Sequence, residues 1–79
     1  MNRHPDAIIV ISGNKYGLYR KRGQTNPYMV NISTGEIPRG YQRPLLKKYL
    51  LEHGVDIEPW ERRNTHWCIL KAIQIGELS

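Results

Sequence analysis

The stretch YMVNISTGEIPRGYQRPLLKKYLLEHG, residues 28–54, changes its period midway, and that change decides the fold class. Its first six residues set Tyr28, Val30 and Ile32 against Met29, Asn31 and Ser33, the two-residue alternation of a strand. A Ser33-Thr34-Gly35 turn and the irregular EIPRGYQ follow, and then Leu45, Leu46, Tyr49, Leu50 and His53 recur along one helical stripe. Pro44 stands in the first turn, where helices accept proline, and Gly54 follows as the stop. The spacing predicts a strand over 28–33 and a helix over 43–53. Lys47, Lys48 and Glu52 occupy the other face of that helix, with Leu51 off the main stripe.

Upstream, AIIVIS at 7–12 is short, β-branched and bounded by Asp6 and by a Gly13-Asn14 turn, which predicts a first strand. KYGLYRK at 15–21 alternates as a second strand, with Tyr16, Leu18 and Arg20 on one face and Gly17 read as a bulge. GQTNP is the loop of the hairpin between the second and third strands. Downstream, Pro59 opens a helical turn, and WCILKAIQI is apolar nearly all round. Leu70, Lys71, Ala72 and Gln74 favour a helix there with Thr65 as its cap, while alternating Ile69, Ile73 and Ile75 also fit a strand. The expected fold is therefore α+β: a small three-stranded antiparallel sheet, a helix over 43–53, and a C-terminal helix or strand. With 79 residues the whole chain is expected to form a single small domain, 1–79, with a disordered tail from about 74 unless that segment docks.

Charge is distributed unevenly. The net charge is +5 and the pI is near 9.7, but residues 1–48 carry +7 and residues 49–79 carry −2. Such asymmetry favours an acidic partner, either nucleic acid or a charged protein surface. The one cysteine, Cys68, excludes an internal disulfide and suits a reducing compartment, so a cytoplasmic location is expected. The longest early apolar run, AIIVI, is too short for a signal-peptide core or a membrane span, and no membrane partner is expected.

Chemistry-bearing patterns are sparse, and the expectation is a protein that is not an enzyme and takes neither cofactor, metal nor small-molecule substrate. His66 and Cys68 lie close in sequence, but on a helix they would point about 200° apart and could not chelate one ion together. Cys68 sits inside an apolar run, the ordinary place for a buried free cysteine. Asp56, Glu58 and Glu61 surround an expected helix start, where negative charge offsets the macrodipole. Gly13, Gly17 and Gly23 do not have the spacing of a phosphate loop.

Basic clusters carry more information. Arg20, Lys21 and Arg22, with Tyr19 beside them, combine phosphate-neutralising charge with aromatic faces at a hairpin end. A second set, Arg39, Arg43, Lys47 and Lys48, joins the first if the helix packs with its basic side toward that hairpin. Trp60, flanked by Arg62 and Arg63, has the composition of an interface anchor, although both Trp60 and Trp67 also suit the core of so small a chain.

The strand order and helix over residues 7–53 are similar to sheet-type DNA binders such as the arm-binding domains of phage integrases, which lay the sheet in the major groove. As a whole, with KYGLYRKRG, YQRPLLKKYLLEHG and EPWERR, the chain resembles the small phage-encoded regulators of host RNA polymerase. That resemblance implies a protein that binds polymerase, blocks promoter recognition by interfering with sigma factor, and alters termination near the RNA exit path. It carries no site residues across, because no motif is diagnostic. The function expected first is non-enzymatic regulation through the host transcription machinery. Direct DNA or RNA binding comes second, and a small toxin or nuclease using His53 or His66 as a base comes third.

Overall fold

The computed structural model describes residues 4–20 and 27–78. Three strands, β1 (Ala7–Ile11), β2 (Asn14–Tyr19) and β3 (Tyr28–Asn31), form an antiparallel sheet in the order β1-β2-β3. Two helices follow, α1 (Gln42–Glu52) and α2 (Thr65–Leu78), with a single 3-10 turn at Trp60–Arg62 between them. The α+β class is as the sequence predicts, and the C-terminal segment is helix rather than strand.

Several local details differ from expectation, each for a physical reason. The first turn is Ser12-Gly13, not Gly13-Asn14, because both residues adopt positive φ (50° and 82°) and Asn14 already pairs with Ile11. A two-residue loop with this geometry matches the twist of the strands it joins. Gly17 is not a bulge: it stands in regular register between Ile8 and Val30. Its missing side chain instead makes room for the Tyr19 ring and Pro5, which a Cβ would meet at 3.1 and 3.3 Å. β3 ends at Asn31 rather than residue 33, because the Asn31 side chain accepts the amides of Ser33 and Thr34 at 2.9 and 3.3 Å and bends the chain away. The cap of α2 is Asn64, whose Oδ1 accepts the Trp67 amide at 2.8 Å; Thr65 is the first residue of the helix itself.

The core lies between the sheet's inner face and the two helices. Ala7, Ile9 and Ile11 of β1, Tyr16 and Leu18 of β2 and Met29 of β3 are buried against Leu46, Tyr49 and Leu50 of α1 and Cys68, Ile69, Ala72 and Ile73 of α2. Ile57, in the segment joining α1 to the 3-10 turn, completes this cluster. Of the helical stripe expected in α1, Leu46, Tyr49 and Leu50 are buried, Leu45 is half-buried, and His53 just past the end stays exposed with its ring 4.2 Å from that of Tyr49. Gly54 at φ 75° stops α1, and Val55 returns its amide to Leu50 O at 3.0 Å. α2 runs through residues 74–78, and Gly76 lets it approach β1 closely: a Cβ there would lie 2.7 Å from Cβ of Ala7.

Candidate interaction surfaces

Because both helices cover the same side of the sheet, no described element lies over its other side. Strand alternation places three cross-strand rows there: Tyr19 with Tyr28, Ile8 with Gly17 and Val30, and Val10 with Lys15. Ile8 and Val10 are 56% and 54% exposed, high values for aliphatic strand residues in so small a fold. Tyr19 and Tyr28 stack face to face, centroids 4.9 Å apart and planes 7° from parallel. Glycine at position 17 matters here, since it lets the Tyr19 ring lie inward along the face instead of projecting from it.

The expected hairpin site begins at the edge of this face. The Arg20 amide donates to the Asp6 carboxylate at 2.6 Å, and the Asp6 amide donates to Leu18 O at 2.8 Å, tying down the end of β2. The Arg20 residue is exposed beyond that tie. Lys21 and Arg22 lie outside the described residues.

The second basic set is split. Arg43 turns toward the joint between the helices, where its Nε donates to Arg63 O and its Nη2 to Trp60 O, both at 2.6 Å. The same guanidinium lies 4.1 Å from the centre of the Trp60 ring, and Lys47 Nζ lies 4.9 Å from it. Arg63 sits over Trp67 at 4.4 Å, with Lys71 5.7 Å from that ring. Among the described residues, the buried Nε of Arg63 has no hydrogen-bond partner. Arg43, Lys47, Trp60 and Arg63 are thus brought together on one another, along a seam that fastens α1 to the turn and to α2. Arg62 is exposed outside the seam. Lys48 points to the opposite end of the sheet and donates to Ser12 Oγ at 2.8 Å.

Arg39, exposed in the loop before α1, meets the flank of Arg43 at an open cleft of about 480 Å³ that also receives Pro27, Tyr28, Gln42, Thr65 and His66. Arg39 and Arg43 reach the start of β3, while Arg20, Lys47 and Lys48 do not line this cleft; the convergence expected of the two basic sets turns on Lys21 and Arg22, which lie outside the described residues.

The remaining chemistry-bearing groups lie apart. Cys68 is fully buried, and burial pushes its thiol pKa up against the opposing pull of the Arg43 and Arg63 charges. Its helix neighbour His66 is exposed, so the two diverge as helical geometry requires. His53 Nδ1 is 2.8 Å from Tyr49 O. Asp56 accepts the Glu58 amide at 3.0 Å, and no group of three or more potential metal ligands forms among the described residues. No helix there is long and apolar enough to cross a membrane.

The open face went unnoticed in sequence because AIIVI is apolar at every position, which hides the alternation that the burial pattern reveals. No protein-family model matches the chain, and neither curated proteins nor solved structures yield a match.

Proposed function

We propose that this protein is a non-enzymatic regulator that docks on the host transcription machinery, with the uncovered sheet face as its contact surface and RNA polymerase as its partner. The observation that carries this is the pair of exposed aliphatics, Ile8 and Val10, set beside the stacked Tyr19 and Tyr28 and the cation Lys15. An apolar patch rimmed by charge is the composition of a protein interface, and the rim supplies steering toward an acidic partner. The polymerase itself enters through the resemblance of KYGLYRKRG, YQRPLLKKYLLEHG and EPWERR to small phage regulators.

Laying the sheet in a DNA groove fits the order of elements but not the chemistry of the face. Base edges are read through hydrogen-bond donors and acceptors, and the central row of Ile8, Gly17 and Val30 brings no polar side chain.

Capture of the tagged protein from a bacterial lysate, with and without nuclease, tests the function. Polymerase subunits should be retained after nuclease treatment, and replacing both Ile8 and Val10 by threonine should weaken their retention more than tenfold. Loss of every partner on nuclease treatment would transfer the function to DNA or RNA. Unchanged capture by the double-threonine variant would remove the sheet face from the interface.

A further inference from the structure

The cleft at the start of β3 draws its lining from three separate parts of the chain: Pro27 and Tyr28, then Arg39 to Arg43, then Thr65 and His66. Its lining residues include two arginines, a histidine, a glutamine, a threonine and a tyrosine, and among the described residues no aspartate or glutamate. A concave surface with that inventory offers hydrogen-bond donors and positive charge without an internal counter-ion.

The two arginines have different duties. Arg43 is held in place, since Nε and Nη2 are committed to the carbonyls of Arg63 and Trp60 and its plane lies on the Trp60 ring. The Arg43 side chain that borders the cleft is therefore fixed in advance, and these two bonds leave its second terminal nitrogen uncommitted. Arg39, on the loop opposite, is exposed and supplies the second guanidinium. His66 enters from the first turn of α2, and neither helix carries an acidic residue in the first turn that meets the cleft. The fixed donor lowers the ordering cost of binding, and planar guanidiniums suit a tetrahedral oxyanion better than point charges do.

We propose that this cleft binds the phosphate of a nucleotide-sized ligand, with the phosphate between Arg39 and Arg43, His66 as a further donor, and the Tyr28 side as the wall for the rest of the molecule. The volume, about 480 Å³, falls within the range of roughly 300 to 1,000 Å³ that small-molecule sites occupy and exceeds the need of a bare anion. The phosphate can come from a free nucleotide or from the end of a strand. The cleft shares Tyr28 with the open sheet face but neither Ile8 nor Val10, so Arg39→Gln tests this site and the double-threonine change tests the docking function, and the failure of one leaves the other standing.

The test is a titration of the full chain, followed by backbone amide NMR shifts at fixed ionic strength, with four probes: adenosine, adenosine monophosphate, and one short oligonucleotide with and without a 5′-phosphate. The phosphate-bearing probes should shift the amides of Arg39 to Arg43 and of Thr65 and His66, and adenosine should not. Tighter binding of the monophosphate identifies a free nucleotide; tighter binding of the 5′-phosphorylated strand over its unphosphorylated form identifies a strand end. Arg39→Gln, an exposed position whose loss should leave the fold intact, should weaken the preferred probe about tenfold or more, because hydrogen bonds to charged groups are among the stronger ones. His66→Gln should weaken it several-fold. Equal shifts from adenosine and its monophosphate, or binding that survives Arg39→Gln, or shifts spread over Lys15, Lys48 and Arg62 as much as over the cleft, would each overturn the site.

Discussion

The seam between the helices and the open face of the sheet invert the usual disposition of residue types. In the seam, Arg43, Lys47, Arg63 and Lys71 turn onto Trp60 and Trp67. On the open face, Ile8 and Val10 stand outward at 56% and 54% exposure. Cations over an indole retain a partial opposite charge in the ring quadrupole, so a small protein can use them as apolar cover with polar ends. Aliphatics on an uncovered face have no such compensation among the described residues. The contrast teaches that a basic cluster in sequence is weak evidence for a contact surface when tryptophans are within reach, and that an all-apolar strand can be half on display.

The largest break in this comparison should come at Arg43. Two charged donors serve the carbonyls of Trp60 and Arg63, and the guanidinium also covers the Trp60 ring. Arg43→Met keeps much of the side chain's length but takes the guanidinium donor from the Arg63 carbonyl and leaves the Trp60 carbonyl with only the Arg63 amide, and should lower unfolding free energy by about 3 kcal/mol in urea denaturation. Arg43→Lys should recover little, since one ammonium cannot reproduce the fork. Arg63→Met is the control. Its Nε has no partner among the described residues, so its loss should cost about 1 kcal/mol or less, chiefly the contact with Trp67. Equal costs at the two positions would mean that the rings, and not the carbonyl bonds, hold the seam.

Two glycines sharpen the difference between the sheet's faces. A Cβ at Gly76 would lie 2.7 Å from Cβ of Ala7, and neither backbone can yield without separating α2 from β1. Gly76→Ala should therefore destabilise by about 1 to 3 kcal/mol despite the helix propensity that alanine gains. A Cβ at Gly17 would instead meet the Tyr19 ring at 3.1 Å. That ring stands on the open side and can rotate away, leaving the 3.3 Å approach to Cβ of Pro5 to be relieved, so Gly17→Ala should cost about 1 kcal/mol, less than Gly76→Ala, while disturbing the Tyr19–Tyr28 stack. Thermal melts of the two variants, with near-ultraviolet circular dichroism for the tyrosines, separate the cases.

How much of this was legible in the sequence depended on whether a signal was local. The switch from alternation to helical spacing across residues 28–54 carried the fold class, because period is a local property. The Asn64 cap was equally local but was hidden by the adjacent Thr65, which has the same preference for that position. The fate of the cations was not local. Arg43 meets Trp60 across a chain reversal that includes Ile57 and the 3-10 turn, and no pattern within either segment announces the pairing. The cleft depended on two such reversals, which bring three segments together. Tyr19 and Arg20 could be placed at a hairpin end by sequence, whereas the apolar rows beside them required knowing which side both helices would take.

A third measurement concerns Cys68, which the seam's arginines flank electrostatically and the core encloses. Burial raises its thiol pKa, so the folded state holds the proton more tightly than the unfolded state does. Stability attributable to this group is complete below the unfolded thiol pKa, near 8.5, and declines as pH rises from there through the higher folded value. Tyr49, raised by burial as well, acts in the same direction at higher pH. Urea midpoints should fall above about pH 9, and less steeply in Cys68→Ala, whose cavity lowers the curve at every pH. Alkylation of the thiol should follow global unfolding rather than local opening. Fast alkylation of the native protein would show that the enclosed side is looser than the comparison requires.

The smallest effect on stability should come from the open face itself. Ile8→Thr with Val10→Thr retains β-branching and so retains most of the strand preference, while removing apolar surface that is already about half in water. Each change should alter unfolding free energy by only about 0.5 kcal/mol, the usual range for surface positions. A loss several times larger would mean that these aliphatics are covered in the isolated chain, by a second copy or by residues outside the described segments, and sedimentation at two concentrations distinguishes those covers. A small loss accompanied by failure to capture polymerase would assign the exposed row to partner binding, because a change that the fold hardly registers can then act only at a surface the partner touches.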